Sequence, residues 1–472
     1  MLLRATFKNL LSFDGPQTIS FLAGKTHSHE NHVVAGEGRG DPGILKTALV
    51  YGANASGKSN LIKCFDIMRQ LVLAGTRGDE AINRIPFKLR KGAAAEPSSF
   101  ELELKLEDAL YAYRASFNDR EILEERLTLV GKTTEKDLFT RTMVDGQSQI
   151  LPGTFLKKAE DRKFFEFVAR GTRKNQLFLT ESIERNSPWF RPLYEWIRDK
   201  LVIIYPETWA DAIAHLVRPN NRLQDDYHKF FDVLGLGIEG VEVRELDPIA
   251  DRGLVPEPLL AEILKNLPND KTMTIFNTAA GRFRFTRDAA GTMKGYKLIM
   301  RHKSADGSAP VEFEVREESD GTRRLLDLIP ILVDLTELER VFLIDEIDRS
   351  MHAQLSRAFF EFFHANSKPQ SQILATTHEL DLLDLELLRK DEIWFVEKDQ
   401  ASASHVYSLE DFKPRYDKDV RRGYLQGRFG GIPVVKSMKE ILPEPASDPQ
   451  GTHEFALNTR SCYNREPRGA YQ

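Results

Sequence analysis

The chain has 472 residues, 41% of them hydrophobic and 29% charged, which is enough apolar content for two or three packed units. Its 66 basic and 71 acidic residues give a net charge of −5, so no global field draws it to nucleic acid or to a membrane. Two cysteines (Cys64 and Cys462) cannot build a disulfide framework, no run approaches the ~20 apolar residues of a membrane span, and the first residues carry no secretory pattern. A cytoplasmic protein is expected, with no membrane partner.

In chain order, Leu2–Phe21 reads as a β-hairpin turning at Asp14-Gly15-Pro16. Residues 23–43 are polar and glycine-rich and are expected to form a loop. His27, His29 and His32 fall within it, beside Glu30. A metal site competes there with a solvated or nucleotide-facing loop. The spacing fits no metal motif and histidines in polar loops are usually exposed, so the loop reading is preferred.

An apolar run from Leu45 to Tyr51 then leads into Gly52-Ala53-Asn54-Ala55-Ser56-Gly57-Lys58-Ser59, followed by Asn60 and a helical stretch. This is the strand–loop–helix setting of a phosphate-binding loop. Gly52 and Gly57 let the backbone curl so that successive N–H groups face an anion, and the helix adds its positive end. Lys58 would reach the β- and γ-phosphates, and the Ser59 hydroxyl would ligate Mg²⁺. Gly52, Asn54, Ser56, Gly57, Lys58, Ser59 and Asn60 are therefore candidate ATP-binding residues.

Ser98–Leu106, Leu110–Phe117 and Glu121–Leu129 alternate as strands of a meander. From Phe155 to Phe231 the periodicity becomes helical with dense charge, and Val241–Met300 mixes a short helix (Glu257–Leu267) with strand-like runs such as Thr272–Phe276 and Gly295–Arg301. No heptad repeat supports a long coiled coil. The span 151–300 is expected to be an inserted, mostly helical subdomain. Its basic positions Lys157, Lys158, Arg162, Lys163, Arg170, Arg173 and Lys174 are diluted by acidic neighbours and read as a solvated face before a DNA contact.

After the strand Val311–Val315, Ser319-Asp320-Gly321-Thr322 marks a helix start, with Leu325, Leu328 and Ile329 giving one apolar face. Arg340–Asp348 is an apolar run ending in Asp345-Glu346, as in a strand buried on both faces of a parallel sheet whose C-terminal tip meets ligands. There Asp345 would join the Mg²⁺ shell and Glu346 would orient the attacking water. Gln372–His378 is another buried strand, and His378 at its end is a candidate γ-phosphate contact. Lys58, Glu346 and His378 are thus the candidate catalytic residues, with Ser59 and Asp345 as metal ligands.

In this order, the pieces resemble the ABC-type ATPase heads shared by the SMC and RecF families. They resemble most closely the compact prokaryotic subgroup of OLD-like, RloA-like, PARIS-type and Septu-type antiviral systems. The carrying residues are Phe7–Phe13, Gly52–Ser59, Ser319–Thr322, Leu343–Arg349 with His352, Thr376–His378 and Tyr424–Pro433, which looks like that subgroup's closing element. The resemblance implies an α/β fold, a phosphate-loop core sheet with an antiparallel β lobe, using ATP and Mg²⁺. It places Ser319, Gly321 and Thr322 where the signature caps the γ-phosphate held by the other protomer of a head-to-head dimer. It places Asp348 in the loop that crosses that interface. The expected domains are an N-terminal lobe (1–150), the insertion (151–300), a C-terminal lobe (301–440) and a flexible tail (441–472).

Two functions follow as expectations. The first is an ATPase sensor or scaffold, a homodimer or higher oligomer, that controls a separate nuclease or toxin in anti-phage defence. The chain lacks a second catalytic constellation, since Asp417-Lys418-Asp419 has no apolar strand before it and no His-Asn-His pattern is evident. The alternative is a RecF- or SMC-like ATPase that binds DNA directly in repair or maintenance. A transporter subunit would not explain the large insertion.

Overall fold

The chain opens with the antiparallel hairpin β1 (Leu2–Lys8) and β2 (Gln17–Ser20), with Phe7 opposite Gln17. The computed structural model describes residues 1–432 except 27, 37–41, 79, 132–133, 207–222, 248–254, 256, 279–280 and 414–418; the expected tail lies outside them. A two-residue ribbon, β3 (Val33–Val34) with β4 (Ile44–Leu45), precedes β5 (Thr47–Tyr51), the strand ahead of the glycine-rich loop. The expected loop 23–43 therefore also holds a short strand and the helical turn Glu30–His32.

After the helix Lys58–Leu73 comes a meander of β6 (Ser98–Leu106), β7 (Ala109–Phe117), β8 (Ile122–Val130), β9 (Glu135–Val144) and β10 (Gln147–Pro152). These strands join β1 and β2 in a seven-stranded antiparallel sheet ordered β10-β9-β8-β7-β6-β1-β2. Alternate residues of β6 are buried from Ser98 to Leu106, as the two-residue period requires.

The span 151–300 begins with the helices Ala159–Gly171, Phe178–Glu184 and Arg191–Glu195. It then contributes β11 (Leu201–Ile204), which pairs in parallel with the later strand Val341–Ile344. After the helix Leu223–Val233 come β12 (Ile238–Leu246), the helix Glu257–Asn266, β13 (Lys271–Thr278), β14 (Gly281–Arg287) and β15 (Met293–His302). With β16 (Val311–Glu314) these form a five-stranded sheet. The insertion is thus helical in its first third, and the rest carries more strand than its charge-rich pattern suggests.

The helix Asp320–Glu337, β17 (Val341–Ile344), the helix Ala353–Asn366, β18 (Gln372–Thr376), β19 (Ile393–Lys398), β20 (Ser404–Ser408) and the helix Val420–Leu425 complete the chain. The core sheet runs β11-β17-β18-β5-β19-β20, parallel except for β20. Both its faces are buried. Ala48 and Val50 of β5, with Val341 and Leu343 of β17, enter one apolar core beside Leu61, Phe65 and Met68 of the phosphate-loop helix and the antiparallel sheet. Leu49, Tyr51, Phe342 and Ile344 enter a second core, shared with Leu328, Leu332, Phe359 and Phe363 of two later helices. A strand buried on both faces needs an unbroken apolar run, which is why the two motif strands are visible in the sequence.

Candidate nucleotide site

The C-terminal ends of β5, β17, β18 and β19 converge on one opening, since parallel strands place all their ends together. A cavity of about 500 Å³ there is lined by residues 54–60 together with Glu346, His378 and Lys398. The loop that forms one wall depends on its glycines. Gly52 has φ 156° and Gly57 φ 117°, and Ala55 between them sits in the left-handed region at 62°. A Cβ on Gly52 would collide with the Val396 carbonyl and Ser56 Oγ, and one on Gly57 with Ser404 Oγ and Ser12 Oγ. The loop is folded against β19 and β20 with no room for a side chain at either glycine.

Lys58 turns back over the loop and donates to the Gly52 carbonyl at 2.8 Å and the Ala53 carbonyl at 3.2 Å. Burial pushes its ammonium down to about 8, against the opposing pull of Asp345, Asp348 and Glu346. Ser59 Oγ donates to Asp345 Oδ1 at 3.1 Å, so the two expected metal ligands meet although 286 positions separate them. Thr376 Oγ1 donates to the same carboxylate oxygen at 2.5 Å and accepts from Glu346 N at 2.8 Å. One hydroxyl thus ties both acidic residues to the end of β18. Glu346 is held at φ 47°, a strained position for a residue with a side chain. His378 donates its backbone N–H to Asp348 at 3.2 Å, and burial together with the nearby Lys58 charge lowers its imidazole below the usual range.

ATP and Mg²⁺, implied by the loop, suit this cradle. The two glycines let the loop curl tightly against β19 and β20, Ser56 Oγ is buried without a partner, and a lysine, a hydroxyl and a carboxylate converge. Asn60 is placed differently from its neighbours, since its amide donates to Ser12 Oγ at 2.8 Å, although it still lines the cavity. Ser319, Gly321 and Thr322 do not line it. Ser319 caps its helix by accepting from Thr322 N at 3.1 Å, with Gly321 packed against the Ser350 carbonyl.

Ser404 and Lys398 were not singled out from sequence, and Ser12 and Thr376 were named only within the stretches that carry the resemblance, without a role in the site. Ser12 and Ser404 join Ser56 beneath the loop (Ser404 Oγ donates to the Ser56 carbonyl at 2.6 Å), Thr376 braces the carboxylates, and Lys398 faces the cavity from the end of β19. Only Lys398 carried a usable signal, at the end of an apolar run. The closing element lies under the loop: Tyr424 OH donates to the Gly431 carbonyl at 2.9 Å, and the Tyr424 ring is 6.1 Å from that of Tyr51. Of the seven basic positions of the insertion, Lys174 lies on Glu121 at 3.2 Å, Arg170 on Glu166 at 3.5 Å, Arg162 on the Leu156 carbonyl at 2.8 Å and Arg173 on the Thr76 carbonyl, while Lys157, Lys158 and Lys163 are exposed. Asp419 caps the helix Val420–Leu425, while residues 417 and 418 lie outside the described residues.

A family model described as "AAA domain, putative AbiEii toxin, Type IV TA system" matches residues 48–384. A search of curated proteins found no match. Among solved structures, the SMC head domain from Thermotoga maritima is similar at 13% identity and TM-score 0.35, covering 86% of this chain and 98% of that one. An Smc head with an extended coiled coil, bound to the C-terminal domain of ScpA derived from Pyrococcus furiosus, is similar at 13% identity and TM-score 0.36, covering 88% and 99%. Scores at this level carry no inference about function. Among the described residues, no helix is long and apolar enough to cross a membrane.

Proposed function

The chain belongs to the AAA-domain family that its residues 48–384 match, and from that premise we propose that it is an ATPase switch that controls a separate effector in defence against phage. The observation that carries the catalytic part is the meeting of Ser59, Asp345 and Thr376 beside the glycine-rich loop and Lys58.

In this reading the N–H groups of the loop and the Lys58 ammonium bind the phosphates of ATP. Ser59 and Asp345 would hold Mg²⁺, which when bound would neutralise charge on the phosphate oxygens. Thr376 fixes the Asp345 carboxylate, and through the Glu346 N–H it fixes the backbone that aims Glu346. Glu346 orients the attacking water and accepts its proton. His378, kept neutral by its surroundings, donates a hydrogen bond to the γ-phosphate. Ser319, Gly321 and Thr322, which do not line their own cavity, cap in this reading the site of a second copy in a head-to-head dimer, with Asp348 in the loop that crosses the interface.

The family description, with its toxin and type IV toxin–antitoxin terms, supports a role in defence. The net charge of −5 and the acidic neighbours that dilute the basic positions of the insertion favour a protein effector over direct DNA binding. The test combines two assays. Mg-ATP turnover by the purified chain should disappear in Lys58→Ala and stall in Glu346→Gln. The tagged chain, expressed with its genomic neighbours, should bring down one of their products. Retention of duplex DNA in place of a neighbour, with salt-dependent affinity and DNA-stimulated turnover, would favour the repair-like reading instead.

A further inference from the structure

At the end of the core sheet remote from the phosphate loop, three distant chain segments bring two imidazoles and a carboxylate together in the interior. His32 ends the turn Glu30–His32, His364 lies in the last turn of the helix Ala353–Asn366, and Glu392 ends the turn that enters β19. Their exposures are 3%, 6% and 0%. His32 falls in the stretch expected to be a solvated or nucleotide-facing loop; it is buried instead, because the chain before β3 folds onto the helix that carries His364.

The cluster is close and incompletely satisfied. His32 Nδ1 lies 3.0 and 3.1 Å from the two Glu392 oxygens. The His364 ring is parallel to that of His32 within 3°, with centroids 3.3 Å apart, closer than the roughly 4.5–7 Å of ordinary aromatic pairs. His364 Nε2 is 3.2 Å from Thr47 Oγ1, while its Nδ1 is buried with no hydrogen-bond partner. One ligand atom from each of the three residues lies within 4.8 Å of the others. Leaving a buried polar atom unpaired costs about 1–3 kcal/mol, and nothing in the nucleotide chemistry uses this group.

We propose that His32, His364 and Glu392 form a buried divalent-metal site, with the nitrogen–oxygen donor set that suits Zn²⁺. Two imidazoles and one carboxylate leave a fourth position for water or a further side chain. At bond lengths of about 2.0–2.1 Å, tetrahedral ligand atoms stand roughly 3.4 Å apart, so small tilts of the two rings close the set on an ion. The ion replaces the proton shared by His32 and Glu392, which leaves to solvent. The outer contacts already fit. Thr47 engages Nε2 of His364 and leaves Nδ1 to coordinate, while the Arg389 N–H donates to Glu392 at 2.8 Å. Such an ion joins the N-terminal turn, the helix Ala353–Asn366 and the base of β19, so its binding energy adds to folding.

The test uses the 472-residue chain without nucleotide, stripped with a chelator, reloaded with Zn²⁺ or Co²⁺ and desalted. The expected result is about one retained ion per chain by mass spectrometry, visible Co²⁺ bands of a four-coordinate site, and a melting temperature above that of the stripped chain. Glu392→Gln and His364→Ala should each weaken metal binding by more than about tenfold, whereas Lys58→Ala, which alters only the nucleotide site, should keep full stoichiometry. A stripped wild-type chain that stays folded and retains no ion would overturn the proposal, and that arm holds even if the variants fail to fold. Variants that bind metal as tightly as the parent would also overturn it.

Discussion

Raising the pH from 7 to 9 should weaken ATP binding through a single side chain. Burial against the loop pushes the Lys58 ammonium down to about 8 in the nucleotide-free protein. About 90% of molecules then carry the charge at pH 7 and about 10% at pH 9. Bound triphosphate favours the charged form, so binding takes up a proton wherever free Lys58 is neutral. The sign follows: affinity is full below pH 8 and falls as pH rises through it. From pH 7 to 9 the loss is about tenfold, or ~1.4 kcal/mol. Calorimetry of ATP binding to the Glu346→Gln chain, in two buffers of different ionisation heat, reads both affinity and proton count. About half a proton should be taken up per ATP at pH 8. Lys58→Arg, whose guanidinium stays charged throughout, should show no such slope. An affinity that stays level from pH 7 to 9 without proton uptake would refute the reasoning.

Three further outcomes follow from the contacts. Gly57→Ala, at φ 117° against Ser404 and Ser12, should cost about 1–3 kcal/mol in a thermal melt and reduce ATP affinity by more than a further Ala at an exposed loop position would. Thr376→Val removes the hydroxyl that serves both Asp345 and the Glu346 N–H; kcat should drop by about ten- to a hundredfold with a smaller change in ATP affinity, measured by steady-state turnover. Arg282→Met leaves Asp327 buried without its bidentate partner (2.9 and 3.3 Å), and urea denaturation should report a loss of about 3–5 kcal/mol.

The candidate nucleotide site could be picked out in the sequence where its residues are contiguous. Gly52–Ser59 and Asp345-Glu346 announce themselves because phosphate binding needs consecutive N–H groups, and because a doubly buried strand must be apolar until it reaches its ligand. The supports of that site were not legible. Ser12 and Ser404 are ordinary small polar residues that meet beneath the loop although 392 positions separate them, and Thr376 reaches Asp345 and the Glu346 N–H only because β17 and β18 pair. The strand Leu201–Ile204 was hidden for another reason: four apolar residues after a charged helix fit a helical period as well as a sheet edge. Glu392 and His364 gave no local pattern at all, and His32 lay in a stretch whose polarity suggested exposure. Burial there depends on which helix the turn packs against, and no window of the sequence contains both.

The central claim is that each ATP is held between two copies, by the loop of one and by Ser319–Thr322 of the other. Its most direct test is the native mass of the Glu346→Gln chain with and without Mg-ATP. The account predicts a species of 53.9 kDa that doubles in mass when Mg-ATP is added, and that fails to double when Ser319→Arg is also present. A mass that is the same with and without Mg-ATP, in a protein shown by calorimetry to bind it, would contradict the account.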